Sequence, residues 1–115
     1  MRLKLKKLLE FLPVTEVVTP AGFDDAVATA VLASDLMSDV LASDAEMPLL
    51  LTSLATEQAI RSADMVGAVA VLVANGKRIS KEMTTLAEEH EIALLRTPLA
   101  KYETCLEIGK LLERE

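Results

Sequence analysis

The stretch that decides the fold is Ala26-Val27-Ala28-Thr29-Ala30-Val31-Leu32-Ala33-Ser34-Asp35-Leu36-Met37-Ser38-Asp39-Val40-Leu41. Its first half, Ala26 to Ala33, is apolar apart from Thr29 and reads as a buried strand. Its second half opens on small and acidic residues. Asp35 stands where an N-cap would stand, with Ser38 at N3, for a helix running from Leu36 to about Ser43. The apolar positions of that helix are Leu36, Met37, Val40 and Leu41. A strand that hands over directly to a helix is the building unit of a parallel sheet. Open sheets of this kind bind ligands beyond the carboxyl ends of their strands.

The same alternation extends in both directions. Upstream, Leu5, Leu8, Leu9 and Leu12 follow helical spacing and Pro13 ends that helix. Val14 to Val18 is a short β-branched run closed by Pro20-Ala21-Gly22. Downstream, Met47 to Leu51 predicts a central strand, with Pro48 at its start, where a missing N–H is tolerated. Thr52 to Thr56 is a polar turn. Glu57 to Met65 suits a helix that turns Ala59, Ile60 and Ala63 inward and stops at Gly67. Ala68 to Ala74 is apolar throughout, the pattern of a strand buried on both faces. Asn75-Gly76 is a turn, and Ser80 caps a helix to about Glu91 with Met83, Leu86 and Ala87 inward. Ile92 to Leu95 is a further strand. Thr97 as N-cap and Pro98 at the first helical position start the last helix, which runs towards Arg114. Its inward stripe is Leu99, Tyr102, Leu106 and Gly109, widened by Cys105, Ile108 and Leu112. The expected fold is α/β: one three-layer domain over residues 1–115, with a mostly parallel sheet and alternating helices.

Composition narrows the function classes. The chain is 51% hydrophobic but only 3% aromatic, so its core is aliphatic. The formal net charge is −6, which argues against a nucleic-acid partner, since phosphate recognition needs a basic face. Arg2, Lys4, Lys6 and Lys7 cluster at the start and read as a solvated helix face. The single cysteine, Cys105, excludes an intrachain disulfide and falls on the expected inward stripe as an inert thiol. With neither a signal-peptide pattern nor an apolar run long enough to span a bilayer, the expectation is a cytoplasmic protein with no membrane partner.

The catalytic inventory is thin. His90, the only histidine, lies near a helix C-terminus, where its charge suits the helix dipole. One histidine and one cysteine far apart make no zinc site, and no cofactor or metal is expected. Asn75-Gly76-Lys77-Arg78-Ile79-Ser80 resembles the end of a P-loop only superficially: Val71 replaces the first glycine and Ser80 comes too late. Asp35 and Asp39 share a helix face, and two like charges at that spacing repel unless something relieves them. The strand-end junctions would rim a common crevice. Its candidate ligand-binding residues are Ser34, Asp35, Ser38, Asp39, Ser53, Thr56, Asn75, Gly76 and Thr97.

Three segments carry a family resemblance: Ala33 to Leu41, Ala68 to Gly76, and Glu91 to Glu103. In that order they resemble the DRTGG domain, which is similar to the N-terminal domain of bacterial HPr kinase/phosphorylase. The resemblance runs from about Leu3 to Leu112. Where the family often has a Gln-x-His-x-Asn-like segment, this chain has Thr52-Ser53-Leu54-Ala55-Thr56, and the string that names the family is absent. The resemblance implies an α/β accessory domain, often dimeric and usually non-catalytic. It does not imply kinase activity, because phosphoryl transfer in that enzyme belongs to a separate P-loop domain. The leading expectation is therefore a homodimeric regulatory or interaction domain, sensing a small ligand for a partner enzyme or pathway. The alternatives are a sensor of a nucleotide or other anion at the strand ends and, third, an enzyme using Asp35 or Asp39 as base.

Overall fold

A computed structural model describes residues 1–113. The chain runs β1 (Leu3–Lys4), α1 (Leu5–Phe11), β2 (Thr15–Val18), a 3₁₀ turn (Phe23–Asp25), β3 (Val27–Ala28) and β4 (Ala30–Ala33). It continues through α2 (Met37–Leu41), β5 (Pro48–Thr52), α3 (Glu57–Met65), β6 (Ala70–Val73), α4 (Lys81–Glu89), β7 (Ala93–Arg96) and α5 (Lys101–Glu113). The expected end of the last helix, Arg114, lies outside the described residues.

The main sheet has the order β2-β7-β6-β5-β4. Strands β4 to β7 are parallel neighbours, and β2 joins antiparallel to β7 with a bulge between Glu16 and Val18. The α/β class and the mostly parallel sheet thus stand as expected. Every residue of β5 and β6 is buried, as continuous apolar runs in a two-sided sheet require.

Alternation along these strands sorts the core into two halves. Leu50, Val71, Val73 and Leu94 face α2, α3 and α4, meeting Val40, Ile60 and Met83. Leu49, Leu51, Leu72 and Leu95 face the other side, meeting Leu5 and Leu8 of α1 and Ile108 and Leu111 of α5. The parallel strands step across the sheet in one direction. Right-handed crossovers then put α2, α3 and α4 on one face. Burying one such leucine stabilises by roughly 1.5–3 kcal/mol, so the leucines of the three inner strands dominate the core.

Four local readings need correction. The apolar run Ala26 to Ala33 is not one buried strand. It breaks at Thr29, whose N–H donates to the Met47 carbonyl. Val27–Ala28 pairs instead with Leu3–Lys4 in a separate antiparallel ribbon, and β4 is a partly exposed edge. The following helix is short, Met37–Leu41, and its cap position is Leu36, with no side-chain cap bond. Of its expected inward residues Val40 is buried, whereas Leu36 and Leu41 are exposed.

The last helix starts at Lys101 and not at Pro98. The Leu99 carbonyl accepts from Asn75 N–H at 2.7 Å and the Thr97 carbonyl from Gly76 N–H at 2.9 Å, so neither starts a helical ladder. Thr104, Ile108 and Leu111 are its buried residues, Ile108 as expected. Tyr102, Cys105, Leu106 and Gly109, expected inward, are exposed.

The helix starts at Thr56 and Ser80 make a matched pair for measurement. Ser80 Oγ accepts the Met83 N–H at 3.1 Å, whereas Thr56 caps α3 with no side-chain bond. In urea unfolding, Ser80→Ala is expected to cost about 1 kcal/mol. Thr56→Ala is expected to stay within about 0.5 kcal/mol.

Candidate functional site

Asp35 is the hub of the strand ends. It follows β4 at the sheet edge, and its carboxylate is turned across the end of β5 rather than back onto its own helix. Oδ1 accepts the Thr52 hydroxyl at 2.9 Å and the Ser53 N–H at 2.7 Å. Oδ2 accepts the Ser53 hydroxyl at 2.6 Å and pairs with the Lys101 ammonium at the first turn of α5. These partners lie 17, 18 and 66 residues away in sequence. The local N-cap that Asp35 was expected to form is therefore overruled by long-range partners. Two more donors and a cation outweigh one helical N–H.

Partial burial by itself pushes the Asp35 carboxyl up. The Lys101 ammonium, the Ser53 hydroxyl and N–H, and the Thr52 hydroxyl outweigh it and hold the group well below the usual carboxylate range. Asp35 is thus a poor proton acceptor near neutral pH, which works against its expected role as a base.

The other expected ligand residues divide into three groups. Ser53 alone joins Asp35. Ser34, Ser38, Asp39 and Thr56 do not join them. Ser34 Oγ accepts the Leu36 N–H at 3.0 Å in a local turn, and Ser38, Asp39 and Thr56 are exposed. Asn75, Gly76 and Thr97 are bonded to one another's loops. Asn75 and Gly76 have φ of 66° and 61°, a left-handed pair that aims both N–H groups at the 97–99 segment. Thr97 is fully buried, donates its N–H to Val73 and accepts the Leu99 N–H on its hydroxyl.

This last set latches two of the strand-end loops together. In an open sheet, a crevice appears where successive strand-end loops leave towards opposite faces. Here that place lies between β6, which leads to α4, and β7, which leads to α5. The two loops are latched together there by the Asn75–Leu99 and Gly76–Thr97 bonds, and Arg96 Nη2 donates to the Gly76 carbonyl at 3.4 Å. A Cβ on Gly76 would already touch Pro98 Cα, at 3.7 Å. The Asn75 and Gly76 N–H groups are thus taken by carbonyls of the 97–99 segment.

Sequence reasoning missed Thr52 and Lys101. The available signal was electrostatic. A half-buried carboxylate at the strand ends needs a cation, and the cations in that region are Lys77, Arg78, Arg96 and Lys101. It also missed the partner of His90. This side chain is exposed at the end of α4, as expected, but its Nδ1 lies 3.3 Å from Asp64 Oδ2 on α3. The pair borders a cavity of about 330 Å³ at the opposite end of the strands, beside Phe23 and Ile92. Among the described residues, no group of three His, Cys, Asp or Glu side chains could hold a metal ion, and no helix is long and apolar enough to cross a membrane. No protein-family profile and no curated protein sequence matches this chain.

The Asp35 cluster should be visible in stability. A carboxyl whose folded pKa lies below its unfolded value of about 3.9 contributes stability that is complete above that value. The contribution is lost as pH falls through the folded pKa. Asp35 and Lys101 are 37% and 35% exposed. Solvent screening therefore reduces the ~1.5–3 kcal/mol of a charged hydrogen bond, and Asp35→Asn is expected to cost about 1–2 kcal/mol at pH 7. Chemical denaturation at a series of pH values should show that gap constant from pH 6 to 8 and narrowing below about pH 4.

Proposed function

We propose that this chain is a non-catalytic interaction module of the DRTGG kind, which works as a homodimer and serves a partner enzyme or pathway. One observation carries the reading. The acidic group that motivated both an enzyme and a sensor, Asp35, has both carboxylate oxygens occupied by the protein itself. It ties three elements together, each oxygen already accepting from two protein groups. The segment that carries the family resemblance is thereby explained as structure: its Ser-Asp pair ends β4 and anchors it.

The surface agrees with association. Large apolar side chains, Leu36 and Leu41, stand outside the core at the two ends of α2. A domain this small buries a limited share of its apolar surface alone, and a second copy is the commonest way to cover the rest.

Size-exclusion chromatography with light scattering, at tens of micromolar, is expected to return twice the chain mass of 12.4 kDa. A thermal-shift series with millimolar nucleotides is expected to leave the melting temperature unchanged. A clear rise with any of them would replace this reading with that of a nucleotide sensor.

A further inference from the structure

We infer that the dimer is built by the free edge of β4, two copies pairing Ala30–Ala33 antiparallel about a two-fold axis at Leu32 to form one continuous sheet. The inference rests on the dimer reading above and specifies its seam.

The two edges of the main sheet differ in kind. β2 carries the exposed Glu16, a bulge between Glu16 and Val18, and prolines at positions 13 and 20 on either side. Charge, bulge and proline are the devices that keep an edge from pairing with another chain. β4 has none of them: from Ala26 to Ser34 no residue is ionisable and none is proline. Its only strand neighbour is β5.

The register fixes what the edge offers. Ser34 N–H donates to the Leu51 carbonyl, and Ala33 lies opposite Leu51. By the alternation of a parallel ladder, Leu32 and Ser34 turn their backbone groups towards β5. Val31 and Ala33 then turn theirs outward. An antiparallel pair centred on Leu32 sets Val31 opposite Ala33 of the second copy, and the reverse. Each outward N–H then meets an outward carbonyl, with none left over.

The occupant follows from charge. A two-fold axis sets this edge against the same edge of the second copy, so ionisable side chains on it would meet like charges, and Ala26 to Ser34 carries none. Leu32 packs on the α2 side of the sheet, and α2 is the outermost helix of that layer, lying against α3. Leu36 and Leu41, 57% and 42% exposed, stand at the two ends of α2.

Ala33→Pro tests the seam, because proline removes an outward N–H while sparing the bonds to β5. The variant is expected to halve the mass seen by light scattering at concentrations where the native chain is dimeric, with its circular dichroism unchanged. Leu106→Glu on α5 is expected to leave the dimer intact. Amide hydrogen exchange of the native chain gives an independent readout: Val31 and Ala33 should be protected in the dimer and exchange freely on dilution. A native dimer whose Val31 and Ala33 amides exchange freely overturns the seam and leaves the dimer reading standing. So does a folded Ala33→Pro variant that remains dimeric. A native chain that is monomeric overturns both, and leaves the edge to a strand of some other protein.

Discussion

The tie between Asp35 and its partners is the constraint on which the strand-end architecture depends. Thr52 and Ser53 close β5, Asp35 follows β4, and Lys101 opens α5. One carboxylate therefore fixes the end of the edge strand, the end of its neighbour and the start of a helix on the opposite face. The geometry also explains the path of the segment after β7. To deliver Lys101 to Asp35, residues 97–100 must cross the end of β6, and they do so by hydrogen-bonding to Asn75 and Gly76. The latch over β6 and the ion pair beside β5 are thus two parts of one closure. Each half supports the other, since a segment held at Asn75 loses less freedom when Lys101 pairs.

Most of the framework was legible in the sequence, and the reason is physical. β5, β6, α3 and α4 are specified by what lies within each segment. Pro48-Leu49-Leu50-Leu51 and Ala70-Val71-Leu72-Val73 are buried on both faces and read as unbroken apolar runs. Ala59, Ile60 and Ala63 keep helical spacing, and Ser80 sits three residues before the N–H it caps. Local pattern and tertiary environment agree in these elements.

The misreadings share one origin. Asp35, Thr29 and the Thr97-Pro98 pair were each read by local rules, and each is governed by a group distant in the chain. Asp35 could cap its helix but finds stronger partners. Thr29 interrupts an apolar run because its backbone and hydroxyl are both taken by the 46–47 loop. Thr97-Pro98 has the composition of a helix start, but Gly76 holds the Thr97 carbonyl and Asn75 that of Leu99. On α5 packing chooses the face: Ile108 is buried and Leu112 packs on the core as expected, and with Thr104 and Leu111 also buried the helical period leaves Tyr102, Cys105 and Leu106 on the outer side. Of the strand-end polar residues, Ser53 bonds to Asp35 and Asn75 and Gly76 bond to the 97–99 segment, whereas Ser38, Asp39 and Thr56 stay exposed.

That inward use of polar groups and the outward placement of apolar ones belong together. Two strand-end loops close on each other, while an edge strand without charge, bulge or proline offers backbone donors and acceptors to another strand. The Asp35 tie connects the two. It lies two residues beyond Ala33, so it fixes the position from which the last outward N–H and carbonyl of β4 project. An edge strand frays easily because it is held from one side only. Anchoring its end to β5 and α5 keeps Val31 and Ala33 in register, and register is what lets a strand meet its own copy with every group paired.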